Sequence, residues 1–226
     1  MASSTIENYV KQIYLLEQAS DSGMAPMGKL AQSLDITPGT ATTMVKALAD
    51  SGLADYEPRV GVKLSPGGRR LALHVLRRHR LVESFLVKVL HLDWAEVHEE
   101  AELLEHVISD KVLDRIDAYL NRPQRDPHGD PIPSPDGTVA AVPSRCLHQV
   151  DPVGKYRVIR MLDQNPDFLN FADRHHLLPG TVVHVQVCDP GGETLVVVPV
   201  GEAPVTLGLA AAAKIQVEAV AGDDFQ

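Results

Sequence analysis

The chain has 226 residues, 44% of them hydrophobic and 23% charged, with a net charge of −9, as expected of a folded protein with one large or two to three small domains. No run of 18 apolar residues occurs and no basic-then-apolar signal pattern is found at the N-terminus, so a cytoplasmic location is the default expectation. The charge is uneven: +3 over residues 1–80, −7 over 81–145 and −5 over 146–226, as a phosphate-facing module followed by a cation-facing one would show.

Ile6, Tyr9, Val10, Ile13, Tyr14 and Leu16 recur at helical spacing and predict a first helix over 4–19. Met27, Leu30, Ala31 and Leu34 predict a short second helix. Thr37-Pro38 is a helix start, because Thr can cap and Pro suits the first helical position. The third helix then runs from Pro38 to about Ser51. Its outer face offers Thr37, Pro38, Gly39, Thr40, Thr42, Thr43 and Lys46, small or basic side chains that let a helix approach a duplex closely. Leu53–Tyr56 and Val60–Leu64 alternate as a hairpin around Glu57-Pro58-Arg59, with Arg59 and Lys63 placed to meet phosphates. Helix, short helix, capped helix and hairpin make a winged helix-turn-helix. Such modules also serve in protein interaction; the local +3 charge and Arg69 and Arg70 favour DNA.

Residues 65–90 predict a long helix with His79 and Glu83 one turn apart on one face. A second helix is expected over Trp94–Ser109, on which His98, Glu102, Glu105 and His106 share an arc of roughly 100°. Two imidazoles and two carboxylates without a thiolate suit Mn2+ or Fe2+. A merely solvated acidic face is the alternative for an isolated Glu-rich helix. Leu103, Leu104, Val97 and Val107 are expected to anchor this helix in a core. Asp110–Leu120 predicts a third helix, with Val112, Leu113, Ile116 and Tyr119 on its apolar side. This surplus of apolar surface points to a two-fold partner.

Three segments carry a family resemblance: Glu7-Asn8-Tyr9 with Ile13-Tyr14-Leu15-Leu16, Arg78-His79-Arg80-Leu81-Val82-Glu83, and Val97-His98-Glu99-Glu100-Ala101-Glu102 with Glu105-His106-Val107-Ile108-Ser109-Asp110. With the run Asp126-Pro127-His128-Gly129-Asp130-Pro131-Ile132-Pro133, the chain resembles the diphtheria toxin repressor family of iron- and manganese-dependent regulators. The resemblance implies one metal site from Asn8, Glu102, Glu105 and His106, and another from His79, Glu83 and His98, sometimes completed by the C-terminal domain. It also implies manganese, because the position of Glu102 is cysteine in the iron branch. Two residues depart from the pattern. Asn8 offers only a neutral amide oxygen, and Lys11 stands where the manganese branch has a second carboxylate. Lys11 cannot ligate while protonated and would repel a cation. His128 reads as structural, and His74 and His91 as surface residues.

The prolines of 122–145 read as an extended linker. Strand signals at Tyr156–Met161, Thr181–Val187, Leu195–Val200 and Ile215–Val220, with a helix over Pro166–His176, predict a small β-barrel. It resembles the FeoA-like, SH3-like domain of the same family. Asp163, Gln164 and Asp167 could lend it a ligand, or could be helix-start residues. Cys146 and Cys188 read as free thiols.

The expected fold is therefore α+β: a winged helix over 1–70, a helical dimerisation and metal-binding domain over 71–140, a linker over 141–152 and a FeoA/SH3-like barrel over 153–226. The resemblance implies a homodimeric repressor of metal-uptake genes that binds operator DNA with one or two Mn2+ (or Fe2+) ions per subunit and no membrane. Five carboxylates at 96–105 would repel one another until a cation arrives. The alternatives are a metal-independent winged-helix regulator sensing a small ligand, a metal-binding accessory protein, and a metallohydrolase, the last disfavoured by the lack of a nucleophile and oxyanion donors near the ligands.

Overall fold

Apolar spacing and capping set the N-terminal elements. Helix α1 (Ser4–Gln18) is capped by the Ser3 side chain, which accepts from Ile6 N, and it buries Tyr9, Val10, Ile13 and Tyr14. Helix α2 spans Met27–Ser33. Helix α3 (Pro38–Asp50) starts as expected, with Thr37 Oγ1 accepting from Thr40 N, and turns Ala41, Val45 and Leu48 inward. Strands β1 (Ala54–Glu57) and β2 (Gly61–Leu64) pair antiparallel from Ala54↔Leu64 to Glu57↔Gly61, with Arg59 at φ +68° in the wing turn. Helix α4 (Pro66–Leu90) begins hard against this hairpin. A Cβ on Gly68 would stand 2.0 Å from Leu53 O, so only glycine allows the approach.

This computed structural model describes residues 3–141, 145–151, 154–189 and 191–220. It contains two units: Met1–His79 with Glu102–Leu113 and Pro133–Val139, and Arg80–Ala101 with Asp114–Ile132 and Ala140–Gln226.

The acidic helix is shorter than its periodicity predicts. Helix α5 covers only Val97–Leu104. Val107 N and Ile108 N both donate to Leu104 O, so Glu105–Val107 is a turn, and helix α6 (Asp110–Tyr119) follows after Ser109. Glu105 and His106 leave the helix for partners elsewhere in their unit. Leu103, Leu104 and Val107 do not anchor a core: Leu103 is 70% and Val107 77% exposed, while Val97 and Ala101 are buried. On α6 only Leu113 and Ile116 are buried; Val112 and Tyr119 face out.

Nor is the proline-rich segment an extended linker throughout. Asp126 Oδ1 accepts from His128 N and Asp130 N, both at 2.9 Å, closing a tight turn. Gly129, at φ +89°, lets this turn lie on the backbone of Ile159, whose oxygen would be 2.0 Å from a Cβ there.

The C-terminal sheet has six antiparallel strands among the described residues: β3 (Arg145–Cys146), β4 (Gly154–Met161), β5 (Val182–Asp189), β6 (Thr194–Pro199), β7 (Val205–Gly208) and β8 (Ile215–Ala219), in the order β3-β8-β4-β5-β6-β7. Helices α7 (Pro166–Arg174) and α8 (Leu209–Ala212) complete it. Val158, Met161, Leu169, Leu177, Val197 and Ile215 fill its core, and Trp94 and Ala95 pack on it. Strand β3 lies inside the stretch expected to be linker, too short for its period to be read. Cys146 is a free thiol. The side chain of Cys188 lies outside the described residues.

Candidate metal centres

Among the described residues, each unit holds within itself a cluster of ionisable side chains. The first joins α1 to the turn after α5. Lys11 Nζ lies 2.6 Å from both Glu102 Oε1 and Glu105 Oε1. Lys11 is only 2% exposed and Glu105 is fully buried. His79 Nδ1 donates to Glu105 Oε2 at 2.6 Å, and His106 Nδ1 to Glu7 Oε2 at the same distance. Arg78 approaches Glu7 at 3.8 Å. Burial alone would push the Glu105 carboxyl up. The hydrogen bond and charge of His79, with Lys11, outweigh it and hold this carboxyl below the ordinary glutamate range. Of the five acids at 96–105, Glu96, Glu99 and Glu100 are exposed, and Lys11 sits between Glu102 and Glu105. Arg78 Nε and His106 Nε2, the latter 3.3 Å from Glu105 Oε1, nevertheless lack hydrogen-bond partners, as does the buried Asn8 Oδ1 on α1. In a neutral ring whose Nδ1–H donates to Glu7, that Nε2 carries a lone pair.

The second cluster joins α4 to the Asp126–Asp130 turn. Glu83 Oε1 is 3.3 Å from His98 Nδ1, and Glu83 Oε2 is 3.8 Å from His128 Nδ1. His128 is fully buried and stacked on Trp94, with ring centroids 5.5 Å apart. Its Nε2–H donates to Trp94 O at 2.7 Å, leaving Nδ1 as a buried lone pair with no hydrogen bond. A metal-ligating histidine is held this way, one nitrogen on a backbone carbonyl and the other free for the ion. Glu83, Asp126 and His128 each bring a ligand atom within 4.8 Å of the others. Burial, then the charges of Asp130 and Glu83, push the Asp126 carboxyl well above the ordinary aspartate range, despite Arg80 at 3.6 Å. This lone pair and these crowded acids fit a divalent cation.

Asp126 and His128 escaped the sequence reading as ligands. A usable signal was there: two acids and a histidine within five residues around a glycine. The barrel candidates lie elsewhere. Gln164 Nε2 donates to Asp130 Oδ2 at 2.8 Å, Asp163 pairs with Lys214 at 2.6 Å and accepts from Asn165 N, and Asp167 sits in the first turn of α7, its N–H capped by Asn165. Burial would raise Asp163, but Lys214 and the Asn165 amide hold it low.

Comparison with known proteins identifies this arrangement. Residues 1–62 match the iron dependent repressor N-terminal DNA binding domain, residues 65–134 the iron dependent repressor metal binding and dimerisation domain, and residues 145–219 the FeoA domain. The chain is 32% identical to the iron-dependent repressor IdeR of Mycobacterium leprae over 231 residues, 96% of this chain and 97% of that one. The chain belongs to the iron-dependent repressor family.

Another family relative is the diphtheria toxin repressor of Corynebacterium glutamicum, 37% identical over 130 residues that cover 57% of this chain and 55% of that one. Among solved structures, a manganese-dependent transcriptional repressor in complex with manganese aligns with a TM-score of 0.85 and 36% identity, over 95% of this chain and 100% of that one. The chain is thus a metal-dependent transcriptional repressor of this family, with an N-terminal DNA-binding domain. In that domain Thr37, Pro38, Gly39, Thr40, Thr43, Lys46, Arg59 and Lys63 are exposed and Thr42 is half-buried. The Thr42 and Thr43 hydroxyls donate to Pro38 O and Gly39 O, so they present methyl groups and acceptor lone pairs outward.

Proposed function

We propose that this repressor is a homodimer that senses Mn2+, and secondarily Fe2+, through the Glu83–Asp126–His128 set with His98 beside it. A second position would be formed by Asn8, Glu102, Glu105 and His106 beside His79. The buried, unbonded Nδ1 of His128, facing Glu83 in a chain with a winged helix, carries this reading. The cation would supply the positive charge that the crowded carboxylates lack. Oxygen and imidazole donors without thiolate, and a relative solved with manganese, support Mn2+. Asp163, Gln164 and Asp167 would orient and anchor rather than ligate, Gln164 by holding Asp130.

On the DNA side, Thr37, Pro38, Gly39, Thr40, Thr42, Thr43 and Lys46 would enter the major groove and Arg59 and Lys63 would meet phosphates. Thr42 and Thr43 suit thymine methyl groups. Leu103, Val107 and Val112, exposed in a domain of the dimerisation type, would pack on a second copy. No helix of the described residues is long and apolar enough to cross a membrane. We divide the chain at the expected boundaries, 1–70, 71–140 and a C-terminal barrel, whose first strand we place at Arg145 rather than after residue 152. The family supports regulation, not catalysis, as the role.

The test is an operator selected from random duplexes, then titrated with protein and Mn2+, Fe2+ or Zn2+, with metal content measured on the same sample. Binding should tighten by about 5–150-fold with Mn2+, the range of an ordinary coupling of 1–3 kcal/mol. It should lose this response in Glu83→Gln. Chelator-insensitive operator binding would overturn the reading in favour of a metal-independent regulator.

A further inference from the structure

Lys11 is out of place in a metal site, and its placement says what it does there. It reaches from α1 into the first cluster and lies 2.6 Å from each of two carboxylates that would serve as ligands. The charged groups facing this point are Glu7, Glu102 and Glu105 on one side and Lys11 and Arg78 on the other, with His79 and His106 between them. A cation at Glu102 and Glu105 would meet an ammonium already in its position. Yet His106 Nε2, in the same cluster, makes no hydrogen bond, and neither does the buried Oδ1 of Asn8, the residue after Glu7 on α1. Lys11 cannot satisfy them while it bridges the two glutamates. Both are atoms of the kind a divalent ion uses and a lysine at this position leaves over.

We propose that Lys11 is a tethered counter-ion that competes with the divalent cation for Glu102 and Glu105. In the metal-free protein it holds α1 to the α5–α6 turn, and an ion enters only by displacing it. Entry frees the ammonium and engages Asn8 and His106. In the second cluster His128 Nδ1 makes no hydrogen bond, and Arg80 Nε stands 3.6 Å from Asp126 Oδ2, farther than the 2.6 Å of Lys11 from either glutamate, so this cluster fills at lower metal concentration. This rests on the metal reading above and adds to it an order of loading and a residue that sets it.

The experiment is calorimetric and EPR titration of the whole protein with Mn2+ alone, comparing wild type with Lys11→Met and Lys11→Arg. Wild type should take up one ion tightly and a second weakly. Lys11→Met should tighten the second by on the order of tenfold or more and leave the first unchanged; Lys11→Arg, which keeps the charge, should not tighten it. The first ion doubles as a folding control for each variant. Should Lys11→Met not fold, an amine-reactive reagent on wild type gives the same answer: Lys11 is protected without metal and becomes labelled only as the second ion binds. A second ion equally tight in wild type and Lys11→Met, or Lys11 still protected at full loading, overturns the proposal. No Mn2+ uptake by any of the three proteins would instead sink the metal reading itself.

Discussion

Glu105 and Asp126 are both buried carboxylates, each close to a histidine and a second acid, but their surroundings act in opposite directions. Around Glu105 the counter-charge is built in: Lys11 and His79 hold its carboxyl low. Around Asp126 the nearest neighbours include Asp130 and Glu83, and Arg80 at 3.6 Å does not compensate for them. Asp130 itself takes up much of the cationic supply, with Arg80 at 3.3 Å and Arg160 at 2.5 Å. One family of ligands therefore yields one cluster stable without metal and one that is strained electrostatically until a cation arrives. A cluster of acids and histidines is a sensor only to the extent that the protein withholds its own cation.

The largest effect expected from this contrast is on metal-free stability, with opposite signs. Lys11→Met leaves two carboxylates without their buried partner and should cost about 3–5 kcal/mol by denaturant unfolding. Asp126→Asn removes a repelled charge and keeps a side-chain oxygen for the His128 and Asp130 amides. It should stabilise the metal-free protein by about 1 kcal/mol while weakening the first Mn2+ by about a hundredfold. Loss of stability in both variants would erase the distinction.

The pH dependence is the next effect in size. A carboxyl raised in the folded state stabilises the fold at low pH and loses that contribution as pH rises through its folded value; a lowered one contributes above its unfolded value and fails as pH falls. Asp126 therefore makes the metal-free protein less stable from the ordinary aspartate range upward, and Glu105 makes it less stable on the acid side. Asp126→Asn should flatten the upper decline and leave the acid limb in place. Affinity for the first Mn2+ should rise with pH across the same upper window, because the ion displaces a proton. An Mn2+ affinity that does not vary there would show that Asp126 is not a ligand.

Much of this was legible in the chain. The winged helix was, because each of its parts has a local cause: apolar spacing in α1, the Thr37-Pro38 start of α3, the wing alternation. His79, Glu83, His98, Glu102, Glu105 and His106 were legible as a group, through spacing and through resemblance. The end of the acidic helix at Leu104 was not. Helical periodicity carries the pattern past Leu104, whereas Glu105 and His106 turn away to meet Lys11, His79 and Glu7, residues 26 to 99 positions distant. Tertiary hydrogen bonds to a buried carboxylate outweigh the propensity of a last helical turn. The Asp126–Asp130 turn was hidden behind its prolines, which suggest extended chain, while its glycine and its two capped amides fold it back onto strand β4.

Lys46 offers the smallest and cleanest test, because it belongs to neither cluster. It is exposed on α3 three residues beyond Thr43, on the face expected to meet the duplex. If it contacts phosphate, Lys46→Ala should weaken operator binding about evenly across sequences and lower the salt slope by roughly 1. Both Mn2+ affinities measured without DNA should stay within about twofold, since the substitution removes no charge from either ligand set. A clear shift in either affinity would mean that charge on the recognition helix reaches the metal clusters, and the contrast between Glu105 and Asp126 could then no longer be assigned to their immediate neighbours alone.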